Sequence, residues 1–256
     1  MKIAILGTRG IPNFYGGFEQ FAQYLSEDLV KKGHNVYVYN SSTHSYQEKV
    51  WNGVNIIHCQ DPENKLGTFG QFIYDFNCIL DSRKRNFDII LQLGYTSNSI
   101  WHWLFLRKSI IITNMDGLEW KRSKYSKIVQ KFLLYAESLA VKYSDYLISD
   151  SICIQTYLKD KYSVDSKYIP YGANLISDTD VDILTIQGLT KKNYNMLISR
   201  LEPENNIETI LQSVVESHTQ RKFLVIGDTE NKYGRYIKKK FKDDRIIYLG
   251  YISKDR

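Results

Sequence analysis

The sequence predicts an α/β protein: one complete open, mainly parallel sheet flanked by helices, followed by the first part of a second sheet of the same kind. Three observations predict it. Apolar runs such as KIAIL at 2–6, FDIILQL at 87–93 and SIIIT at 109–113 alternate with stretches whose apolar residues recur at helical spacing. The stretch from Lys2 to Asn40 holds a whole strand, glycine loop, helix and second strand. The alternation lapses once, where the chain turns polar and acidic from Asn174 to Asp182, and it restarts at Asn195. The expected division is therefore residues 1–176 for a first domain and 177–256 for a linker and an incomplete second domain.

Taken in order, Lys2 to Leu6 is an apolar strand that stops at Gly7, and Phe18, Phe21, Ala22, Leu25 and Leu29 make the face of a helix. Lys31 and Lys32 lie in its last turn and Gly33 just beyond, a stop signal with a favourable dipole partner. Asn35 to Tyr39 alternates Val36 and Val38 with Tyr37 and Tyr39. Gly53 to His58 reads as a third strand, and Phe69 to Leu80 as a helix with Phe69, Phe72, Ile73, Phe76 and Leu80 on one face. The runs at 87–93 and 109–113 fit central strands covered on both faces. Ser126 to Tyr143 is a long helix, Tyr146 to Ser149 a strand, Ser151 to Tyr162 a helix, and Lys167 to Ile169 a strand closed by Pro170. The second part reads as the strand Asn195 to Ser199, a helix from Glu204 to Val215, the strand Lys222 to Ile226, a basic helix from Tyr233 to Phe241 and the strand Ile246 to Leu249. In such sheets ligands bind outside the carboxyl ends of the strands.

The loop after the first strand carries Gly7, Gly10, Gly16 and Gly17 around Pro12. Gly16 and Gly17 precede a helix whose first N–H groups lack internal partners, a ready phosphate site. Replacing Gly16 by Val is expected to block ligand approach and leave the fold largely intact. A dinucleotide fingerprint is lacking, since the loop reads Gly7-Thr8-Arg9-Gly10 and the second strand ends in Asn40 where an acidic residue would hold a ribose. No P-loop string occurs.

Composition narrows the classes. With 256 residues, 43% hydrophobic residues, 14% aromatics and 20 tyrosines, the chain is globular. A net charge of +6 allows an anionic partner without marking a nucleic-acid binder, and no nucleic-acid motif accompanies it. Cys59, Cys78 and Cys153 are scattered, which points to a reducing cytosol. The five histidines stand far apart and no D-x-D string occurs, so no metal site is expected. The short apolar run before Gly7 does not make a signal peptide, and no run reaches the roughly 20 residues that span a bilayer. A cytoplasmic protein with at most peripheral membrane contact is expected.

The runs AILGTRGIPNFYGGFEQF from Ala4, NMDGLEWKR at 114–122, IPYGAN at 169–174 and SRLEPENN at 199–206, in this order, resemble the GT-B glycosyltransferases of the family 4 type. Within these they are most similar to the bacterial rhamnosyltransferase-like group of surface polysaccharide assembly. The resemblance implies two Rossmann-like domains and transfer of a sugar, rhamnose or similar, from a nucleotide-diphosphate-sugar such as dTDP-rhamnose to a saccharide or lipid-linked acceptor. It implies a metal-independent, retaining reaction with no cofactor. Arg200 stands where the family reaches the donor diphosphate. Asn205 and Asn206 replace the Lys found five or six residues on, and Gly16 and Gly17 join them as donor-side candidates. Asp116 stands before Gly117, where many members carry His, as a group to bind a sugar hydroxyl or accept its proton. Glu119 and Trp120 add a hydrogen bond and a stacking face, with Arg9 and Glu19 as further acceptor-side candidates.

In the family the second domain continues through a Glu-containing donor segment, so this chain is expected to stop short of it and to be inactive alone. A non-catalytic binding or partner module is the alternative reading, and a dehydrogenase a distant third. Between Lys121 and Lys131, five basic residues interleave with Tyr125, Ile128 and Val129, and Phe132 follows; this pattern fits a solvated helix face or a contact with anionic lipid. Lys232, Arg235, Lys238, Lys239, Lys240 and Lys242 form a similar cluster.

Overall fold

The computed structural model describes residues 1–14, 16–122, 124–173, 175, 189–190 and 192–252. The chain divides into two compact units, Met1–Ala173 and Asn174–Arg256. Most of the polar stretch read as a linker lies outside the described residues.

The first unit begins with β1 (Lys2–Leu6), α1 (Gly17–Lys31), β2 (Asn35–Ser41), β3 (Val50–Trp51) and β4 (Val54–Cys59). It continues through α2 (Glu63–Leu66), α3 (Thr68–Arg83), β5 (Ile89–Leu93), β6 (Ile110–Asn114), α4 (Lys127–Tyr143), β7 (Tyr146–Ser149), α5 (Ile152–Tyr162) and β8 (Lys167–Tyr168). The strands form one sheet in the order β3-β4-β2-β1-β5-β6-β7-β8, parallel except for β3. The order reverses between β1 and β5, so the loops after these two strands border the crevice where such sheets bind ligands.

Both faces of the sheet are covered, which is why the central strands read as continuous apolar runs. On one face Ala4, Leu6, Tyr39, Ile57 and Ile90 pack with Tyr74, Cys78 and Ile79 of α3. On the other, Ile5, Val36, Val38, Ile56 and Leu91 pack with Ala22, Phe18, Phe21 and Leu25 of α1. Ser126 and Ser151 cap α4 and α5 by accepting the N–H groups of Val129 and Ile154, so both serines read as helix starts are caps just outside the helices. The first five residues of the apolar stretch 100–106 sit in a 3-10 turn, Ser99–Leu104, that buries Leu104 and leaves Trp103 exposed.

The sequence reading missed two elements. Asn52-Gly53 turns the chain so that Val50 and Trp51 pair antiparallel with β4, the hairpin signal of an N-G pair. The four-residue α2 is too short to show a periodicity.

The second unit contains β9 (Tyr194–Ile198), α6 (Ile207–Glu216), β10 (Lys222–Ile226), α7 (Lys232–Lys240) and β11 (Ile246–Gly250). Its strands are parallel in the order β11-β10-β9. Leu201, Ile207, Leu211, Phe223, Val225, Ile237 and Phe241 make the core between sheet and helices. The helix expected from Glu204 starts later: Pro203–Asn205 form a 3-10 turn, and Asn206 adopts a left-handed conformation before α6. On β9, an edge strand, Met196 and Ile198 are exposed.

Candidate active site

The glycine loop after β1 is held by polar side chains of its own unit. Glu19, in the first turn of α1, is buried and turns back into the loop, accepting the Arg9 N–H at 2.9 Å and the Thr8 hydroxyl at 3.2 Å. Its carboxylate thus sits beside the free N–H groups of the helix start, where the dipole favours a negative charge. Asn40 closes the loop from β2, accepting the Ile11 N–H at 3.1 Å and donating to the Ile11 carbonyl at 2.8 Å. The residue at the position of a ribose-binding acid therefore reads backbone instead. Gly10 lies against this amide, leaving no space for a side chain.

Gly16 has φ 127°, and a Cβ there would stand 1.9 Å from Glu19 Oε2. The expectation that Gly16→Val would spare the fold is corrected: a side chain at this position displaces the carboxylate that closes the loop. Gly17 has open space where a Cβ would be. The Arg9 guanidinium turns to Glu63 of α2, with a bidentate contact at 2.7 and 2.9 Å.

A second polar group gathers at the carboxyl ends of β6 and β7. Asp116 is half-buried, in a left-handed backbone conformation with φ 44°, and its N–H is accepted by Asn114 Oδ1 at 3.2 Å. Burial pushes its carboxyl above the usual carboxylate range; the Gly117 N–H opposes this, and the negative charges of Asp150 and Glu119 reinforce it. Asp150, just past β7, has a buried Oδ1 with no hydrogen-bond partner among the described residues. Asn114 donates to the Tyr171 hydroxyl at 3.0 Å, and the Tyr171 ring packs edge-on against Phe21 of α1, with centroids 5.4 Å apart. Burial raises the Tyr171 phenol to about 12, with Asp116 adding to the effect. Tyr171 thereby links α1, which follows the glycine loop, to the Asp116 group.

Glu119 and Trp120 are held by internal partners. Glu119 accepts two contacts from Arg122 Nη1, at 2.9 and 3.1 Å. Trp120 Nε1 donates to Glu137 at 3.1 Å, and the Lys161 ammonium lies 5.1 Å from its ring. Glu137, 1% exposed, also accepts Tyr157 at 2.6 Å, Tyr162 at 2.7 Å, Lys161 at 3.0 Å and Tyr95 at 3.3 Å. Asp75 of α3 is buried and accepts the Ser97 hydroxyl at 2.5 Å in the loop after β5; burial raises its carboxyl to about 7.

In the second unit Arg200 follows β9 and is exposed, and its guanidinium has no partner among the described residues. Its carbonyl accepts the Asn205 side-chain amide at 2.8 Å, which shapes the turn around it. Asn206 makes no side-chain cap for α6. Among the described residues no group of three or more His, Cys, Asp and Glu is placed to hold a metal ion, and no helix is long and apolar enough to cross a membrane.

The sequence reading missed Thr8, Asn40, Asp75, Glu137, Asp150 and Tyr171. Asn40 and Asp150 carried a usable signal, as the first polar residues at or just past the carboxyl ends of apolar strands. Glu137 and Asp75 carried none, since each reads as one charge on a helix.

The family described as Domain of unknown function (DUF1972) matches residues 1–174. The chain belongs to the DUF1972 family. No protein of curated function matches it in sequence. Solved structures do resemble this DUF1972 chain. HepE of Anabaena, in complex with UDP-glucose, is similar over 98% of this chain and 69% of its own, with 14% identity and a TM-score of 0.68. The lipopolysaccharide outer core galactosyltransferase WaaB is similar over 98% of this chain and 68% of its own, with 13% identity and a TM-score of 0.61. The UDP-GlcNAc 2-epimerase of Methanocaldococcus jannaschii is similar over 98% and 74%, with 11% identity and a TM-score of 0.57. At these identities the likeness is one of fold: the DUF1972 chain has the Rossmann-like architecture of GT-B proteins.

Proposed function

We propose that this protein is a glycosyltransferase that takes its sugar from a nucleotide-diphosphate-sugar. The observation that carries the reading is Arg200, an exposed guanidinium with no partner among the described residues, at the carboxyl end of β9 in a GT-B fold. A cation there suits a leaving diphosphate, whose charge grows in the transition state. Asn205 and Asn206 stand in the same turn, with the Asn205 amide donating to the Arg200 carbonyl, while the Glu19 carboxylate turned back to the start of α1 counts against a diphosphate at Gly16 and Gly17. Asp116, its carboxyl raised by burial, is the group for the acceptor hydroxyl or its proton.

The finer reading rests on the residues shared with the rhamnosyltransferase-like group: dTDP-rhamnose or a similar donor and a saccharide or lipid-linked saccharide acceptor. Retention of configuration, independence of metal, and work in polysaccharide assembly at the inner face of the plasma membrane belong to it as well. The same fold serves a UDP-GlcNAc 2-epimerase, which supplies a second reading.

Titration calorimetry with UDP and dTDP tests the donor site, and NMR of a supplied nucleotide-sugar tests the chemistry. Binding that falls at least tenfold in Arg200→Ala, with sugar transferred to an added saccharide, supports the proposal. Inversion at the sugar C2 with no acceptor consumed favours the epimerase. Absence of nucleotide binding by the folded protein sinks both.

A further inference from the structure

Three buried polar atoms of the first unit line one small cavity that the site described above does not use. The cavity measures about 10 Å³ and lies between β5, β6, α4 and the 3-10 turn Ser99–Leu104. Gln92 of β5 and Asn98 and Ser99 at the start of the turn are each more than nine-tenths buried. Gln92 Oε1, Asn98 Oδ1 and the Ser99 hydroxyl have no hydrogen-bond partner among the described residues.

The other groups of these residues are committed. Gln92 Nε2 donates to the Thr113 hydroxyl at 3.3 Å, and Asn98 Nδ2 donates to the Gly94 carbonyl at 3.0 Å. Turning the Asn98 amide over would set its oxygen against that carbonyl, so the oxygen stays unpaired within its own unit. His102 Nδ1 lies 3.1 Å from the Ser99 carbonyl, and the His102 ring stacks on Tyr143 with centroids 3.7 Å apart, which anchors the turn on α4.

The count of donors and acceptors selects the occupant. Two amide oxygens only accept, and the hydroxyl has a proton to give. One water molecule supplies two donors and accepts the third bond, and a cavity of this volume holds one. No acidic side chain lines the cavity to balance a cation, and an apolar occupant would leave all three atoms unpaired.

We propose that this cavity is a binding site for one internal water molecule, which donates to Gln92 Oε1 and Asn98 Oδ1 and accepts the Ser99 hydroxyl. The water ties β5 to the far end of the loop that follows it, and that loop borders the crevice where the strand order reverses. The site is independent of the transferase reading, because its test uses no nucleotide-sugar.

The test is a crystal structure of the whole chain at a resolution that orders internal waters, repeated on crystals soaked in rubidium chloride. Magnetic relaxation dispersion of the solvent then counts long-lived waters in the wild-type protein, in Ser99→Val, which removes the hydroxyl and fills the cavity, and in Gln92→Met, which removes one acceptor at similar size. Circular dichroism and thermal melting report whether each variant folds. Expected is one density peak within about 3.2 Å of all three atoms, with no anomalous signal after rubidium. Folded Ser99→Val should lose one long-lived water, and in folded Gln92→Met its exchange should quicken roughly tenfold. A cavity without density, or one in which Gln92 and Asn98 turn to other partners, would overturn the proposal. A rubidium peak would overturn it in favour of a monovalent cation, and unchanged water exchange in the folded variants would overturn it as well.

Discussion

The loops at the carboxyl ends of β1 and β9 open their respective units, and they use charge in opposite ways. After β1, Glu19 is bound to Arg9 N and Thr8, and Arg9 to Glu63, so both charges have partners within the unit. After β9, the turn is shaped by the Arg200 carbonyl and Asn205, while the guanidinium has no partner among the described residues. The difference separates charge that builds a loop from charge with no partner among the described residues. Glu137 belongs with the first kind, and Arg200 stands for the second.

The largest expected effect strikes the first kind hardest. Glu137→Ala leaves Trp120, Tyr157, Tyr162 and Lys161 without their shared acceptor, and a cost of roughly 3 to 5 kcal/mol is expected in urea denaturation. A cost below about 1 kcal/mol would break the assignment of Glu137 to the scaffold.

Asp75 sharpens the comparison through pH. Its folded carboxyl titrates near 7, above its unfolded value of 3.8, so the folded state holds this proton to higher pH. The stability it contributes is complete below the unfolded value and is lost as pH rises through about 7. Between pH 5 and pH 8 the wild-type protein is expected to lose roughly 2 to 4 kcal/mol that Asp75→Asn does not lose. Parallel pH profiles for the two proteins would exclude this role.

Glu19→Ala is expected to cost about 1 to 3 kcal/mol, because the Arg9 N–H and the Thr8 hydroxyl lose their acceptor. Hydrogen exchange at Arg9 should rise with it. Unchanged protection there would mean that the glycine loop is held by Asn40 alone.

The smallest effect on stability belongs to Arg200→Ala, within about 0.5 kcal/mol, since no partner among the described residues is lost. Its nucleoside diphosphate affinity should nevertheless fall at least tenfold. A melting shift comparable to that of Glu137→Ala would place Arg200 with the structural charges and remove the contrast.

The sequence by itself determined the order of strands and helices apart from β3 and α2, the glycine loop and the lapse between the two units. Those features come from apolar periodicity and from glycine and proline, which act within a few residues of themselves. It also put Asp116 and Arg200 just past strands, at ends where ligands bind. Tertiary structure decided which polar groups remain free. Trp120 reads as a stacking face, yet its indole N–H is bound to a glutamate 17 residues on. Asn40 reads as a missing acid, yet its amide matches the backbone of Ile11, 29 residues earlier. A hydrogen bond needs its partner within about 3 Å, and for residues this far apart in the chain only the packing of the sheet and its helices sets that distance.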